Sequence, residues 1–241
     1  IRAAGGDAIL SFGGAAGVDI AGVCNTPQAL ATAFEAAIDY YHFTHVDFDI
    51  EGNNPYVASS VARRTQALVL VQQHYAALHE PLVISYTLPV LPQGMPLAVL
   101  GVVQSAVRAH LKLAIVNVMA MDFGDSNAPH PQGMMGAYAI QAAQSTAAQL
   151  KRIGFPLGTN PYASIGVTPD LGVNDNVDEI FELSDASKLV QWGRANGIGR
   201  LTYWAEQRDK ECPGGVKNYS SDTCSSIVQA PFAFTKIFVT L

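Results

Sequence analysis

The chain has 241 residues, of which 49% are hydrophobic and only 14% are charged. This composition is typical of one compact domain with a sizeable core, and it excludes a disordered chain. The formal net charge of −6 comes without a basic patch, so nucleic acid is not expected as a partner. No stretch reaches the roughly 18 uninterrupted apolar residues of a membrane span.

Short apolar runs predict strands, and helical spacing between them predicts helices. The predicted strands are Ala8–Phe12, His45–Ile50, Leu82–Thr87, Leu113–Met121, Ser164–Val167 and Leu201–Trp204. Helices are predicted after Thr26-Pro27 and at Val57–Leu78, Leu97–Leu111, Tyr138–Ile153, Asp185–Ala195 and Cys224–Phe238. Thr26 is the expected N-cap of the first of these helices, and Ser184 and Gly197 are expected to bound Asp185–Ala195.

The predicted strands recur at the spacing of a βα repeat, which builds a parallel sheet or barrel through right-handed crossovers. The fold class is therefore α/β, a (β/α)8 TIM barrel with about six βα units. A helix follows the last strand, so the two missing units are expected at the N-terminus. The chain opens directly into a strand without a signal peptide, which indicates upstream processing or a fragment. We expect one domain over 1–241.

Three cysteines are present. Cys212 and Cys224 lie in one loop-rich stretch and could close a short disulfide, whereas Cys24 is left over. The alternative is three buried thiols in a reduced protein. A metal site is not favoured, because the sequence has no Cys-x-x-Cys and no cluster of histidines.

The most informative stretch contains three carboxylates, Asp47, Asp49 and Glu51, spaced two residues apart. Because strand side chains alternate between faces, these acids share one face and apolar residues share the other. Three inward acids are costly to bury, and mutual repulsion raises the pKa of at least one of them. A solvated edge strand or a divalent-metal site are alternatives. Coupled acids with separated pKa values favour general acid catalysis.

The stretch that ends at Glu51 resembles the D-G-x-D-x-D-x-E signature of glycoside hydrolase family 18. Its last three acids match, whereas Thr44 and His45 stand where the family has Asp and Gly. The resemblance implies that Glu51 is the proton donor. It also implies that Asp49 orients the substrate's acetamido group and that Asp47 shares a proton with Asp49.

Supporting motifs occur in the family's order. Ser11-Phe12-Gly13-Gly14 resembles the S-x-G-G motif of the third barrel strand. Met119-Ala120-Met121-Asp122 is similar to the M-x-Y-D motif of the sixth strand, with Met121 in place of Tyr, as in one bacterial chitinase subgroup. Trp204 matches the eighth-strand tryptophan that forms the floor of the cleavage subsite.

Further segments resemble the same subgroup. They are Gly166–Pro169, Gly172–Asp175, Arg208-Asp209 and the stretches that begin at Cys224 and Pro231. Because the first motif belongs to the third strand, the resemblance also places the two missing units before it.

The resemblance implies an endo-acting, retaining chitinase that uses the substrate's N-acetyl group as its nucleophile, an exception to the two-carboxylate rule. Chitin or chito-oligosaccharides are the expected partners, and no metal or organic cofactor is expected. Asp122 and Tyr86 are hypothesised to hold the acetamido group and the sugar ring. Met119, Met121, Gly13 and Gly14 are further candidates for substrate contacts. A secreted monomer is expected.

Three alternatives stay open. An endo-β-N-acetylglucosaminidase acting on N-glycans would share the acid strand and the mechanism. A chitin-binding lectin or inhibitor on the same barrel would typically lack Glu51. An inactive fragment is the third, because an unclosed sheet exposes edges that invite aggregation.

Overall fold

A computed structural model describes the whole chain, Ile1–Leu241. The strands are β1 Leu10–Gly13, β2 His45–Asp49, β3 Val83–Pro89, β4 Ile115–Met119, β5 Ile165–Thr168, β6 Gly172–Val173, β7 Ile180–Phe181 and β8 Arg200–Leu201. The α-helices are α1 Ile20–Val23, α2 Pro27–Tyr41, α3 Ala58–Ala77, α4 Leu97–Arg108, α5 Met135–Arg152, α6 Leu183–Asn196 and α7 Ala233–Phe238. Short 3-10 helices cover Arg2–Ala4, Asn54–Tyr56, Pro161–Ser164 and Glu206–Arg208.

Six strands form one sheet in the order β1-β2-β3-β4-β5-β8. The pairs β1–β2, β2–β3 and β5–β8 are parallel. The sheet ends at β1 and β8 and is not closed into a barrel. This arrangement confirms the predicted α/β fold. The antiparallel hairpin of β6 and β7 was not predicted, because strands of two residues each carry no readable periodicity.

Contacts between residues group the chain into two compact units. The first unit comprises Ile1–Leu88, Leu97–Val116 and Ile153–Phe155. The second unit comprises Pro89–Pro96, Asn117–Arg152 and Pro156–Leu241. The single domain over 1–241 stays a prediction.

The core of the first unit forms where α2 covers the sheet. Leu30, Phe34 and Ile38 recur every fourth residue along α2 and are buried, as expected for the inner stripe of an amphipathic helix. The Phe34 ring lies 4.9 Å from the rings of both Phe12 on β1 and Phe48 on β2. Aromatic contacts at this spacing fix the helix-facing side of β1 and β2.

Two helix starts test the predicted caps. Thr26 caps α2 as predicted, since its Oγ1 accepts a hydrogen bond from the Ala29 N–H at 3.2 Å. The prediction of Ser184 as a cap is wrong. Glu182 is the N-cap of α6 and forms a reciprocal capping box with Asp185, which satisfies two backbone donors at once.

Two predicted strands end two or three residues earlier than expected. The prediction Leu113–Met121 becomes β4 Ile115–Met119, and Leu201–Trp204 becomes β8 Arg200–Leu201 with one isolated bridge between Asp170 and Trp204. Residues that follow these shortened strands therefore lie in loops at strand ends, where functional side chains concentrate.

The C-terminal helix is also shorter than predicted. Instead of Cys224–Phe238, only the six residues of α7 are helical. Ser226 and Phe232 adopt positive φ values of 64° and 59°, and these left-handed residues interrupt a continuous helix. A helical pattern in sequence cannot reveal such interruptions.

The structure decides between a Cys212–Cys224 disulfide and three reduced thiols. Cys212 and Cys224 form a disulfide that spans 12 residues, and Cys24 is a half-buried free thiol. The disulfide is therefore present, and the alternative of three reduced thiols is excluded for this structure.

Candidate active site

The acidic strand β2 presents its carboxylates on one face. Asp47 is buried within β2, Asp49 ends the strand half-buried, and Glu51 follows two residues later. Phe48 points to the other face and packs against Phe34. The alternation predicted from the sequence therefore holds along β2.

Asp47 is held by hydroxyl groups from both neighbouring strands. Ser11 on β1 donates to it at 3.1 Å, and Ser85 and Thr87 on β3 donate at 2.5 and 2.8 Å. Hydrogen bonds to an ionised carboxylate are about twice as strong as neutral ones. The hydroxyls offset the cost of burying this acid, although no basic side chain lies near it in sequence.

Asp49 carries the clearest electrostatic signature. Burial, the neighbouring charge of Glu51, a hydrogen bond with Glu51 and the charge of Asp47 together raise the pKa of Asp49 to about 8. Asp49 therefore keeps its proton at neutral pH and can donate it in the hydrogen bond with Glu51. A carboxyl group whose pKa is raised by burial and by neighbouring acids is typical of acid–base catalysis.

The two glycines after Phe12 bring the end of β1 against Asp49. The Gly14 N–H donates to the Asp49 carbonyl oxygen at 3.1 Å. Gly13 has φ +110°, and a Cβ there would lie 2.0 Å from the same oxygen. Only glycine permits both this conformation and this close approach. The S-x-G-G motif thus fixes the backbone of an acidic residue.

Tyr86 is not placed beside the acids. Its register partner is Phe48, and its ring meets the Phe48 ring edge-on at 6.2 Å on the helix-facing side of the sheet. The side chain is fully buried, and burial raises its pKa to about 12. The hypothesis that Tyr86 holds a sugar is therefore wrong, because Ser85 and Thr87 occupy the alternate positions that face Asp47.

In the second unit, Asp122 lies in a turn just after β4. It has φ +49°, and its Oδ1 accepts a hydrogen bond from the Asn176 N–H at 2.9 Å. The residue as a whole is exposed, but its carboxyl group is partly buried, and this burial raises its pKa. Met119 ends β4 half-buried, and Met121 is half-buried in the loop that follows.

Trp204 stands at the surface of the second unit. It is 54% exposed, although its backbone N–H donates to the Pro169 carbonyl at 2.9 Å. The peptide bond between Trp204 and Ala205 is cis. An exposed indole on fixed backbone offers an apolar face for stacking.

A buried ion pair lies beneath this part of the second unit. Arg208 and Asp170 are both almost completely buried, and their charged atoms lie 3.1 Å apart. Arg208 also donates to the carbonyls of Leu171 and Val173 at 2.9 and 2.7 Å. Burial raises the pKa of Asp170, and the charge of Arg208, which favours the ionised carboxylate, opposes this shift. Arg208 therefore holds the entry to the β6–β7 hairpin.

Sequence reasoning missed several of these partners. Ser85 and Thr87 were readable in principle, because they alternate along β3 as the acids do along β2. Glu179, which contacts the turn after Asp122, left no sequence signal. It lies more than 50 positions from its partners.

The catalytic candidates Asp47, Asp49 and Glu51 lie in the first unit, with Gly13 and Gly14. The candidates Met119, Met121, Asp122 and Trp204 lie in the second unit. No group of three or more His, Cys, Asp or Glu side chains is arranged to hold a metal ion. None of the helices has both the length and the apolar character required to cross a bilayer.

Comparisons with known proteins point to one family. No protein-family model matches the chain. It is 34% identical over 250 aligned residues to the "Probable bifunctional chitinase/lysozyme" of Escherichia coli K12, covering 99% of this chain and 27% of that protein. It is also 34% identical over 220 residues to Endochitinase 11 of Metarhizium anisopliae, covering 87% of this chain and 41% of the relative. The chain thus spans less than half the length of either curated relative.

A solved structure extends the likeness to the fold. The catalytic domain of the hyperthermophilic chitinase from Pyrococcus furiosus superposes with a TM-score of 0.87 at 30% identity. The superposition covers 99% of this chain and 74% of that one. The relatives found by sequence and the neighbour found by structure are therefore all named chitinases.

Proposed function

Because the chain belongs to the chitinases of glycoside hydrolase family 18, we propose that it hydrolyses the β-1,4 bonds between N-acetylglucosamine units of chitin and chito-oligosaccharides. The observation that carries this proposal is the row of Asp47, Asp49 and Glu51. These acids share one face, and the pKa of Asp49 is raised to about 8.

The position of the acids favours substrate assistance. Asp49 and Glu51 come from one strand and its end, so neither is expected to reach the far side of a scissile bond. Two-carboxylate glycosidases place their acids on opposite sides of that bond. In the proposed first step, the acetamido carbonyl oxygen of the substrate attacks the anomeric carbon. Glu51 gives its proton to the departing glycosidic oxygen, and the bond to the leaving sugar breaks.

The second step restores the enzyme. Glu51, now ionised, takes a proton from water, and the water oxygen attacks the anomeric carbon and opens the oxazolinium ring. The configuration at the anomeric carbon is retained. Before the first step, Asp49 is proposed to pass the proton that it holds to Glu51. The ionised Asp49 then accepts a hydrogen bond from the acetamido N–H and stabilises the positive charge of the intermediate. Asp47, held by three hydroxyl groups, is proposed to set the charge of Asp49.

Sugar contacts are proposed from the motif positions. The half-exposed indole of Trp204 would stack on the apolar face of the sugar at the cleavage subsite. Asp122 would accept a hydrogen bond from the sugar, and Met119 and Met121 would line the subsite. Gly14 would leave room for the sugar beside the Asp49 carboxyl group, whereas Gly13 would act by letting the β1 backbone approach the Asp49 carbonyl oxygen.

The finer features are proposals of the same kind. We propose that the protein acts in an endo manner, is a monomer and is secreted. The disulfide between Cys212 and Cys224 supports secretion, since disulfides persist in oxidising compartments. The mechanism uses no metal or organic cofactor. Neither nucleic acid nor a membrane is a proposed partner.

Substrate choice tests the proposal. We expect the protein to release chitobiose and longer fragments from colloidal chitin and to leave a high-mannose N-glycan intact. Cleavage of the glycan alone would replace the proposal with an endo-β-N-acetylglucosaminidase. Tight binding of chito-oligosaccharides without any cleavage would replace it with a chitin-binding protein.

A further inference from the structure

One carboxylate in the second unit joins two loops that are far apart in sequence. Glu179 is 2% exposed. Its Oε2 accepts the Phe123 N–H at 2.9 Å, and its Oε1 accepts the Gly124 N–H at 2.6 Å. These two donors directly follow Asp122. Both carboxylate oxygens of Glu179 therefore bind the backbone of the turn that carries Asp122.

The main chain of Glu179 is itself fixed in the turn between β6 and β7. Its N–H donates to the Asn176 carbonyl at 2.8 Å, and its carbonyl accepts the Asn174 N–H at 2.9 Å. The Asn176 side chain also donates to Glu179 Oε1 at 3.3 Å. A buried side chain on such a constrained turn has little freedom to shift.

The hairpin turn also donates a hydrogen bond to the Asp122 side chain itself. The backbone N–H of Asn176 donates to Asp122 Oδ1 at 2.9 Å. The hairpin turn therefore holds the Asp122 carboxylate directly and, through Glu179, the backbone on its C-terminal side. Asp122 needs such support, because its φ of +49° is uncommon for a residue other than glycine.

The buried Glu179 carboxylate depends on its hydrogen bonds, because a second acid lies near it. Asp122 and Glu179 are acids near one another, and burial is the first cause that raises the pKa of Glu179. Backbone N–H groups are the donors that compensate the buried carboxylate. An amide in its place could accept only one of the two N–H groups and would turn its own donors toward the other.

We propose that Glu179 is a positioning residue, which holds the turn of Asp122–Gly124 and so sets the direction in which Asp122 meets an N-acetylated sugar. This inference rests on the proposed function for the role of Asp122. Nothing in the family signature near Glu51 assigns a role to the β6–β7 hairpin.

A double-mutant cycle tests the proposal. We expect Glu179→Gln to lower kcat/KM on a fluorogenic chitobiose glycoside at least tenfold, with a similar loss for Asp122→Asn. If Glu179 acts through Asp122, the double variant loses no more than Asp122→Asn alone. Losses that multiply in the double variant would overturn the proposal.

Asp185→Asn is the matched control. Asp185 is also a buried carboxylate that accepts a backbone N–H, but its bond caps the start of α6. We expect this variant to lose stability and to keep kcat/KM within about twofold. An equal loss of activity in Glu179→Gln and Asp185→Asn, at equal Tm, would mean that Glu179 has a merely structural role.

A crystal structure of Glu179→Gln separates this inference from the proposed function. A parent protein that cleaves no chito-oligosaccharide refutes the function, and the hold of Glu179 on the turn is then judged from the coordinates alone. We expect Asp122 to leave the left-handed region and to lose its hydrogen bond from Asn176. An unchanged turn would overturn the inference whether or not the parent is active.

Discussion

Replacing Gly13 by alanine should disturb the end of β1 and the acidic strand together. Gly13 has φ +110°, and an added Cβ would lie 2.0 Å from the Asp49 carbonyl oxygen. That oxygen also accepts the Gly14 N–H at 3.1 Å. The clash is with backbone, so no side-chain rotation relieves it, and the two strand ends must separate.

Three contributions set the size of the effect. The left-handed backbone costs an L-residue about 1–2 kcal/mol, and an overpacked methyl group costs about 1–3 kcal/mol. A weakened hydrogen bond from Gly14 to Asp49 adds about 1 kcal/mol. We therefore expect Gly13→Ala to lower the free energy of unfolding by about 3–6 kcal/mol, and to lower kcat because Asp49 moves.

Urea unfolding and kcat on a chitobiose glycoside measure the two effects. Gly154→Ala is the control, since Gly154 has φ +73° with nothing within 4 Å of an added Cβ. It should lose only the backbone contribution and keep full activity. If Gly13→Ala is as stable and as active as Gly154→Ala, the close approach of Gly13 to Asp49 does not constrain the strand.

Three further perturbations follow from the same geometry. Thr87→Val keeps the side-chain shape but removes the 2.8 Å hydrogen bond to Asp47. It should lower the free energy of unfolding by about 1.5–3 kcal/mol and reduce kcat, whereas unchanged values would show that this hydroxyl is dispensable. The pKa of Asp49 is raised from 3.8 to about 8, so the folded state holds a proton that the unfolded chain releases, and stability falls as pH rises through that window. Denaturant titrations at several pH values should show a flatter dependence for Asp49→Asn, and an identical slope would contradict the raised pKa. The disulfide between Cys212 and Cys224 closes a loop of 12 residues, and its reduction should cost about 3 kcal/mol, seen as a lower Tm in calorimetry; an unchanged Tm would contradict a stabilising role.

The local periodicity of the sequence predicted the acidic face, because strand alternation depends on the backbone alone. Asp47 and Asp49 were placed on one face and Phe48 on the other, as the structure has them. The same rule applied to β3 separates Tyr86 from Ser85 and Thr87, but it does not say which of the two faces meets the acids. The register of Tyr86 against Phe48 puts it on the helix-facing side, and register is set by pairing between strands, which a single strand does not reveal.

Contacts between residues that are far apart in the chain could not be predicted from the sequence. Glu179 meets Phe123 and Gly124 across more than 50 residues, and no spacing rule connects such positions. The end of the chain shows the same limit. The pattern from Cys224 to Phe238 has helical spacing, but the disulfide and the left-handed Phe232 keep most of it irregular.

The proton-donor assignment of Glu51 is tested most directly by kcat of the parent and of Glu51→Gln on a fluorogenic chitotriose glycoside at mildly acidic pH. The amide keeps the size of the side chain but cannot supply the proton. We expect an active parent and a loss of at least about 100-fold in the variant, the lower range of general acid catalysis, with an unchanged Tm. A variant that keeps most of the parental kcat would show that Glu51 is not the proton donor.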